Sequence, residues 1–128
     1  MTEIEEDVRA TVSRWFDALK RGDGKAALEC LDDNVLWINT STEPGLSDIV
    51  PWLGTYKGRD AVAGTFVIWA ELSEVREFEL KRIFYDGDEA VAVVHEVALI
   101  KPTGLFYDIE FIQRLGVRDG KIISWKSY

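Results

Sequence analysis

Cysteine and histidine are almost missing from this chain: its 128 residues hold one of each, Cys30 and His95. A single thiol excludes an internal disulfide framework, and one thiol with one imidazole excludes an ordinary zinc site, so no metal is expected. Cations are outnumbered, with 15 Lys and Arg against 23 Asp and Glu and a formal charge of −8. That balance argues against nucleic acid or an anionic membrane as partner, since both are held through surplus positive charge. No apolar run approaches the ~18 residues of a membrane span, and the acidic opening MTEIEEDV lacks the character of a signal peptide. A cytoplasmic location is the expectation. No glycine-rich phosphate loop of the usual pattern is present, so no nucleotide or other cofactor is expected.

Apolar and aromatic mass is what the chain has in quantity: 47% hydrophobic residues, including five Trp, four Tyr and six Phe. This is globular composition, and the length suits one domain over 1–128. Ile4, Val8, Val12, Trp15, Phe16 and Leu19 recur at helical spacing behind a Thr2/Glu5 capping box, and Gly22 closes that helix. Asp23 can cap a short second helix with Ala27, Leu28 and Leu31 on its apolar side. Val35 to Asn39 reads as a strand. Thr40 to Lys57 has no sustained period, and a structureless stretch of that length suits a lid or rim. A third helix is predicted from Asp60, its cap, to about Leu72, with Val62, Phe66 and Trp69 on one side.

From Val75 onward the pattern is a four-stranded antiparallel meander. Lys101-Pro102-Thr103-Gly104-Leu105 and Val117-Arg118-Asp119-Gly120-Lys121 both fit hairpins with three-residue loops. Such loops pair Lys101 with Leu105 and Val117 with Lys121. By counting back, His95 then faces Phe111, Val93 faces Gln113, and Gln113 faces Trp125; Arg82 is set against Val93 and Leu80 against His95. One face then carries Phe78, Leu80, Phe84, Val91, Val93, Val97, Leu99, Ile109, Phe111, Leu115, Ile123 and Trp125, with Arg82, His95, Gln113 and Ser127 as polar exceptions. The other carries Glu96, Glu110, Arg114 and Lys126 among Ala90, Ala92, Val94 and Ala98, and is either solvated or paired with a second copy of the sheet.

Several motifs, in order, resemble those of the SnoaL-like group of the NTF2-like superfamily, which includes ketosteroid isomerases and polyketide cyclases. They are Val12-Ser13-Arg14-Trp15-Phe16 with Arg21-Gly22-Asp23; Leu31-Asp32-Asp33-Asn34-Val35; Gly54-Thr55-Tyr56-Lys57-Gly58-Arg59-Asp60-Ala61-Val62; His95-Glu96; Thr103-Gly104; and Val117-Arg118-Asp119-Gly120-Lys121-Ile122. The resemblance implies an α+β cone, three helices on a strongly curved and mainly antiparallel sheet around an apolar pocket, commonly dimerising through the sheet's outer face. The fold hosts isomerases, cyclases, hydrolases, dehydratases and non-catalytic binding modules, so it fixes no reaction. At the isomerases' oxyanion tyrosine this chain has Trp15, at their general base Ile38 or Asn39, and at their second acid Ile112 or Gln113. An indole or an amide removes no proton from carbon, so steroid isomerisation by that mechanism is not expected.

The expected site combines an aromatic wall with a polar end. Trp15, Trp37, Asn39, Trp52, Tyr56, Phe66, Phe111 and Trp125 would contact a small, mostly apolar molecule bearing a carbonyl or carboxylate. His95 would act as acid or base, with Arg82 and Gln113 stabilising an enolate oxygen. Glu43 and Asp48, in the rim segment, could also reach in. Two alternatives stand beside this reading: a binding module without chemistry, and a structural homodimer whose cone is filled by its own tryptophans.

Overall fold

The computed structural model describes residues 2–40, 50 and 52–128, so Glu43 and Asp48 lie outside the described residues. The first helix, α1 (Glu3–Arg21), begins where the Thr2 hydroxyl accepts from the Glu5 amide at 3.2 Å and ends where Gly22 turns to a left-handed φ of 68°. It buries Val8, Thr11, Val12, Trp15, Phe16 and Ala18. The short α2 (Gly24–Glu29) is capped by the Asp23 carboxylate, which accepts from the Ala26 amide. The third helix, α3 (Arg59–Leu72), has Gly58 rather than Asp60 at its N-cap position, with no side-chain cap. Among the described residues no helix is long and apolar enough to cross a membrane.

Among the described residues six strands form one sheet in the order β2-β1-β6-β5-β4-β3: β1 (Leu31–Asn39), β2 (Gly54–Lys57), β3 (Ser73–Asp86), β4 (Glu89–Ile100), β5 (Leu105–Arg118) and β6 (Lys121–Ser127). All neighbours are antiparallel except β1 and β6, which run parallel with Trp37 beside Trp125. β2 occupies the end of the segment expected to be irregular, pairing Tyr56 with Trp37. The architecture is the α+β cone that the motifs implied.

Both hairpins differ from expectation by one residue. Ile100 pairs with Leu105, which leaves a four-residue turn, and Arg118 pairs with Lys121 around Asp119 and Gly120. Both of those turn residues take positive φ, 51° and 73°, as a two-residue turn of the primed type requires. A one-residue shift in an antiparallel pair reverses one strand's facing relative to the other. The outcome is that β5 faces as expected and β4 does not. Gln113, Leu115 and Val117 are buried on the inner face, and so are Ala90, Ala92, Val94 and Ala98 of β4, opposite them. His95, Val91, Val93, Val97 and Leu99 therefore lie on the outer face. On β3 an irregularity between Leu80 and Arg82 keeps Phe78, Leu80, Ile83 and Tyr85 against the core and turns Arg82 and Phe84 outward.

Volume explains this choice of face. Helix α1 supplies the bulk, with Trp15 and Phe16 each 1% exposed and Phe16 stacked on Phe78 at 6.4 Å. Small side chains on β4 let the helix approach closely, and close packing rather than hydrophobicity alone sets the phase.

Candidate functional site

Three polar centres stand on the inner face. At the closed end Gln113, 3% exposed, holds two indoles: its Oε1 accepts from Trp15 Nε1 at 3.0 Å and from Trp125 Nε1 at 2.9 Å. Trp37 stacks on Trp125 with ring centroids 3.7 Å apart and planes 7° from parallel, and meets Trp15 and Phe66 edge-on at 5.9 and 5.7 Å. Trp15 and Trp125 are thus core, and Gln113 is committed to holding these two. Trp37 Nε1, by contrast, is buried without a hydrogen-bond partner.

A second centre joins the ends of β1 and β6. Ser127 Oγ donates to Asn39 Oδ1 at 2.9 Å and accepts from the Thr40 amide at 2.9 Å. Asn39 is half-buried and braces this edge.

The third centre, missed by the sequence reading, is Glu96 with Tyr107. Glu96 follows Val94 by two on β4 and so faces inward, opposite Ile109, while Tyr107 stands opposite Ala98. The Tyr107 hydroxyl donates to Glu96 Oε1. Burial pushes the Glu96 carboxyl above its usual range, and the Tyr107 hydrogen bond only partly counters this. Tyr107 is itself raised strongly, by burial first and then by the neighbouring carboxylate. Around the pair, Trp69 of α3 lies 5.9 Å from the Tyr107 ring, and Trp52 meets Trp69 edge-on at 4.7 Å. Ile109 is on the inner face yet 44% exposed, so among the described residues this end of the cone is open. The missed signal was a carboxylate in phase with Ala92, Val94 and Ala98.

Two of the expected catalytic residues are elsewhere. His95 sits on the outer face between Glu79 and Glu110, with Nε2 2.6 Å from Oδ1 of an Asp108 that is 70% exposed. Arg82 lies outside as well, its guanidinium 4.6 Å over the Phe84 ring. Glu96 and Glu110, expected together on the outer face, are separated, with Glu110 outside opposite His95 and Glu96 inside. Tyr56 and Phe66 are half-buried against the core, and the Tyr56 hydroxyl donates to the Leu53 carbonyl at 3.1 Å. Phe111 is half-buried opposite Val94.

Two clefts lie outside the cone. One of about 480 Å³ is lined by Phe84, Val91, Ile112, Arg114 and Tyr128. The other, about 330 Å³, lies between α1, α2 and the β5–β6 turn beside Cys30, whose thiol burial holds protonated despite Arg14 and Lys121. Among the described residues no group of three His, Cys, Asp or Glu is placed to hold a metal ion.

A model of the SnoaL-like domain family matches residues 12–125. No curated relative matches the chain. Similar solved structures include a Mesorhizobium loti protein provisionally named a SnoaL-like polyketide cyclase, at 22% identity over 100% of this chain and 99% of that one, with a TM-score of 0.77. A Bacillus subtilis protein provisionally named an isomerase is 18% identical over 99% and 88% of the two chains, TM-score 0.81. TerC, crystallised with polyporic acid, is 15% identical over 95% and 90%, TM-score 0.75. At these identities the likeness is one of fold.

Proposed function

The chain belongs to the SnoaL-like domain family, and from that premise we propose that it binds a small, mostly apolar, carbonyl-bearing molecule at the cone's open end and transfers a proton through Glu96. The observation that carries this reading is a carboxyl on the inner face, hydrogen-bonded to Tyr107 beside Trp69, at the end of the sheet where the inner-face residues Val75, Leu105 and Ile109 are exposed. A carboxyl whose neutral form is favoured by burial is, once ionised, a stronger base than one in water, which suits proton removal next to a carbonyl. In that step the Glu96 carboxylate takes the proton, and the C–H electron pair becomes the enolate double bond. Return of a proton from Glu96 to a different atom completes an isomerisation. Cyclase and isomerase names among similar structures, and polyporic acid crystallised with one of them, agree with this class.

The test needs no knowledge of the natural substrate. In D₂O the protein should speed exchange of the protons beside the carbonyl of α-tetralone, followed by proton NMR, and Glu96→Gln should lower the enhancement by about 10²-fold or more. Equal exchange by the two proteins would remove Glu96 from the chemistry. The bond from Tyr107 satisfies Glu96 in the absence of substrate, which favours a second reading: ligand binding without turnover. It is distinguished by saturable quenching of tryptophan fluorescence with no enhanced exchange.

As partner we propose a second copy on the outer face. Val91, Val93, Val97 and Leu99 form an apolar stripe there, with Arg82, Arg114 and Lys126 towards one end and Glu79, Asp108 and Glu110 towards the other. A two-fold axis brings unlike ends together. Val93→Arg should then give monomers in sedimentation, and an unchanged sedimentation coefficient would reject this interface.

A further inference from the structure

We infer that the Trp37 indole N–H is the donor that anchors the ligand's carbonyl oxygen, at the inner end of the pocket. This rests on the pocket reading above and narrows it from any oxygen-bearing molecule to a neutral carbonyl compound.

Three indoles meet at the closed end of the cone, and their N–H groups are treated differently. Those of Trp15 and Trp125 share Gln113 Oε1. An amide oxygen has two lone pairs, so both are taken and none remains for Trp37. Trp37 is 4% exposed and its Nε1 has no acceptor. Buried donors are seldom left unpaired, and each exception asks for a reason such as water or a ligand. Nor can this ring turn to find a partner. Its face is covered by Trp125 at 3.7 Å, and Trp15 and Phe66 press edge-on at 5.9 and 5.7 Å. It is a fixed donor in apolar surroundings.

Phe66 links this donor to the acid–base pair. Phe66 touches Trp37, and three residues further along α3 Trp69 touches Tyr107, which holds Glu96. Residues three apart share a helix face, so the donor and the carboxyl border the same side of α3. The charge of the ligand follows from what is missing. The inner face of β3 to β6 presents Phe78, Leu80, Ala92, Val94, Glu96, Tyr107, Phe111 and Gln113, with Arg82 turned outward, and carries no lysine or arginine. One neutral N–H cannot offset the burial of a carboxylate, whereas it suits a ketone or quinone oxygen.

Indole-labelled (¹⁵N-tryptophan) protein tests this, with signals assigned through Trp→Phe variants. α-Tetralone should move the Trp37 N–H signal downfield and leave those of Trp15 and Trp125 in place. Tetralin, the same skeleton without the oxygen, should not shift Trp37 downfield. If α-tetralone shifts Trp52 and Trp69 but not Trp37, the pocket stands and the anchor is overturned. If it shifts none of the five, both fall. A Trp37 N–H with a cross-peak to water that persists with α-tetralone bound also overturns the anchor. In Trp37→Phe, α-tetralone should bind about tenfold more weakly and tetralin within twofold of the wild type. Equal losses for both compounds would reduce Trp37 to packing.

Discussion

The two ends of the cone bury polar side chains to opposite purposes. At the closed end the uncharged Gln113 has its carbonyl oxygen doubly filled by indoles that are themselves core. At the open end the ionisable Glu96 has one hydrogen-bond partner among the described residues, a phenol, next to an inner-face isoleucine that solvent reaches. A neutral amide stabilises a core without responding to pH, because neither of its groups titrates near neutrality. A carboxyl in a similar position remains adjustable, and its charge depends on what enters beside it. Stability should therefore concentrate at one end and chemistry at the other.

Substitutions can break that division. Gln113→Leu leaves two buried indole donors without an acceptor and should cost about 2–4 kcal/mol in denaturant unfolding. A loss below about 1 kcal/mol would mean the indoles find other partners. Glu96→Gln should act through pH. The folded-state pKa of Glu96 is raised, so between the unfolded value and the folded one the native protein binds more protons than the unfolded chain. Stability from this group is full at low pH and falls as pH rises through the folded pKa. The melting temperature of Glu96→Gln should gain on the wild type by a few degrees between pH 4 and pH 7, and parallel curves would show that burial leaves Glu96 unaffected. Tyr107→Phe removes the one hydrogen bond that lowers the Glu96 pKa, so the same decline should extend to higher pH, by a smaller margin. His95→Ala, on the outer face, should change stability by about 0.5 kcal/mol or less and leave α-tetralone exchange unaltered.

The helices, the antiparallel run of the last four strands and the inward facing of Gln113 were legible because each had a distinct local signal. Thr2 and Gly22 bracket α1 as capping chemistry requires, and the glycines of both hairpins mark their turns. The phase of β4 was not legible, because both of its faces are apolar. Ala90, Ala92, Val94 and Ala98 alternate with Val91, Val93, Val97 and Leu99, so a period of two cannot choose between them. The bulkier set looks like core until α1 is in place to fill the space itself. That one ambiguity carried His95 inward and Glu96 outward. Loop length was the other weakness: Gly104 and Gly120 fit turns of several lengths, and a residue more or fewer changes every partner on the strand.

The parallel pairing of β1 with β6 has a kinetic consequence. These strands are separated by about ninety residues of chain, yet β6 lies between β1 and β5 and supplies Trp125 to the aromatic stack. Until β6 docks, the sheet is two unjoined pieces, β2–β1 and β5–β4–β3. Closing so long a loop is entropically slow. Completion of the hydrophobic interior is thus tied to the most distant pairing in the molecule, which makes the docking of β6 the natural rate-limiting event in folding.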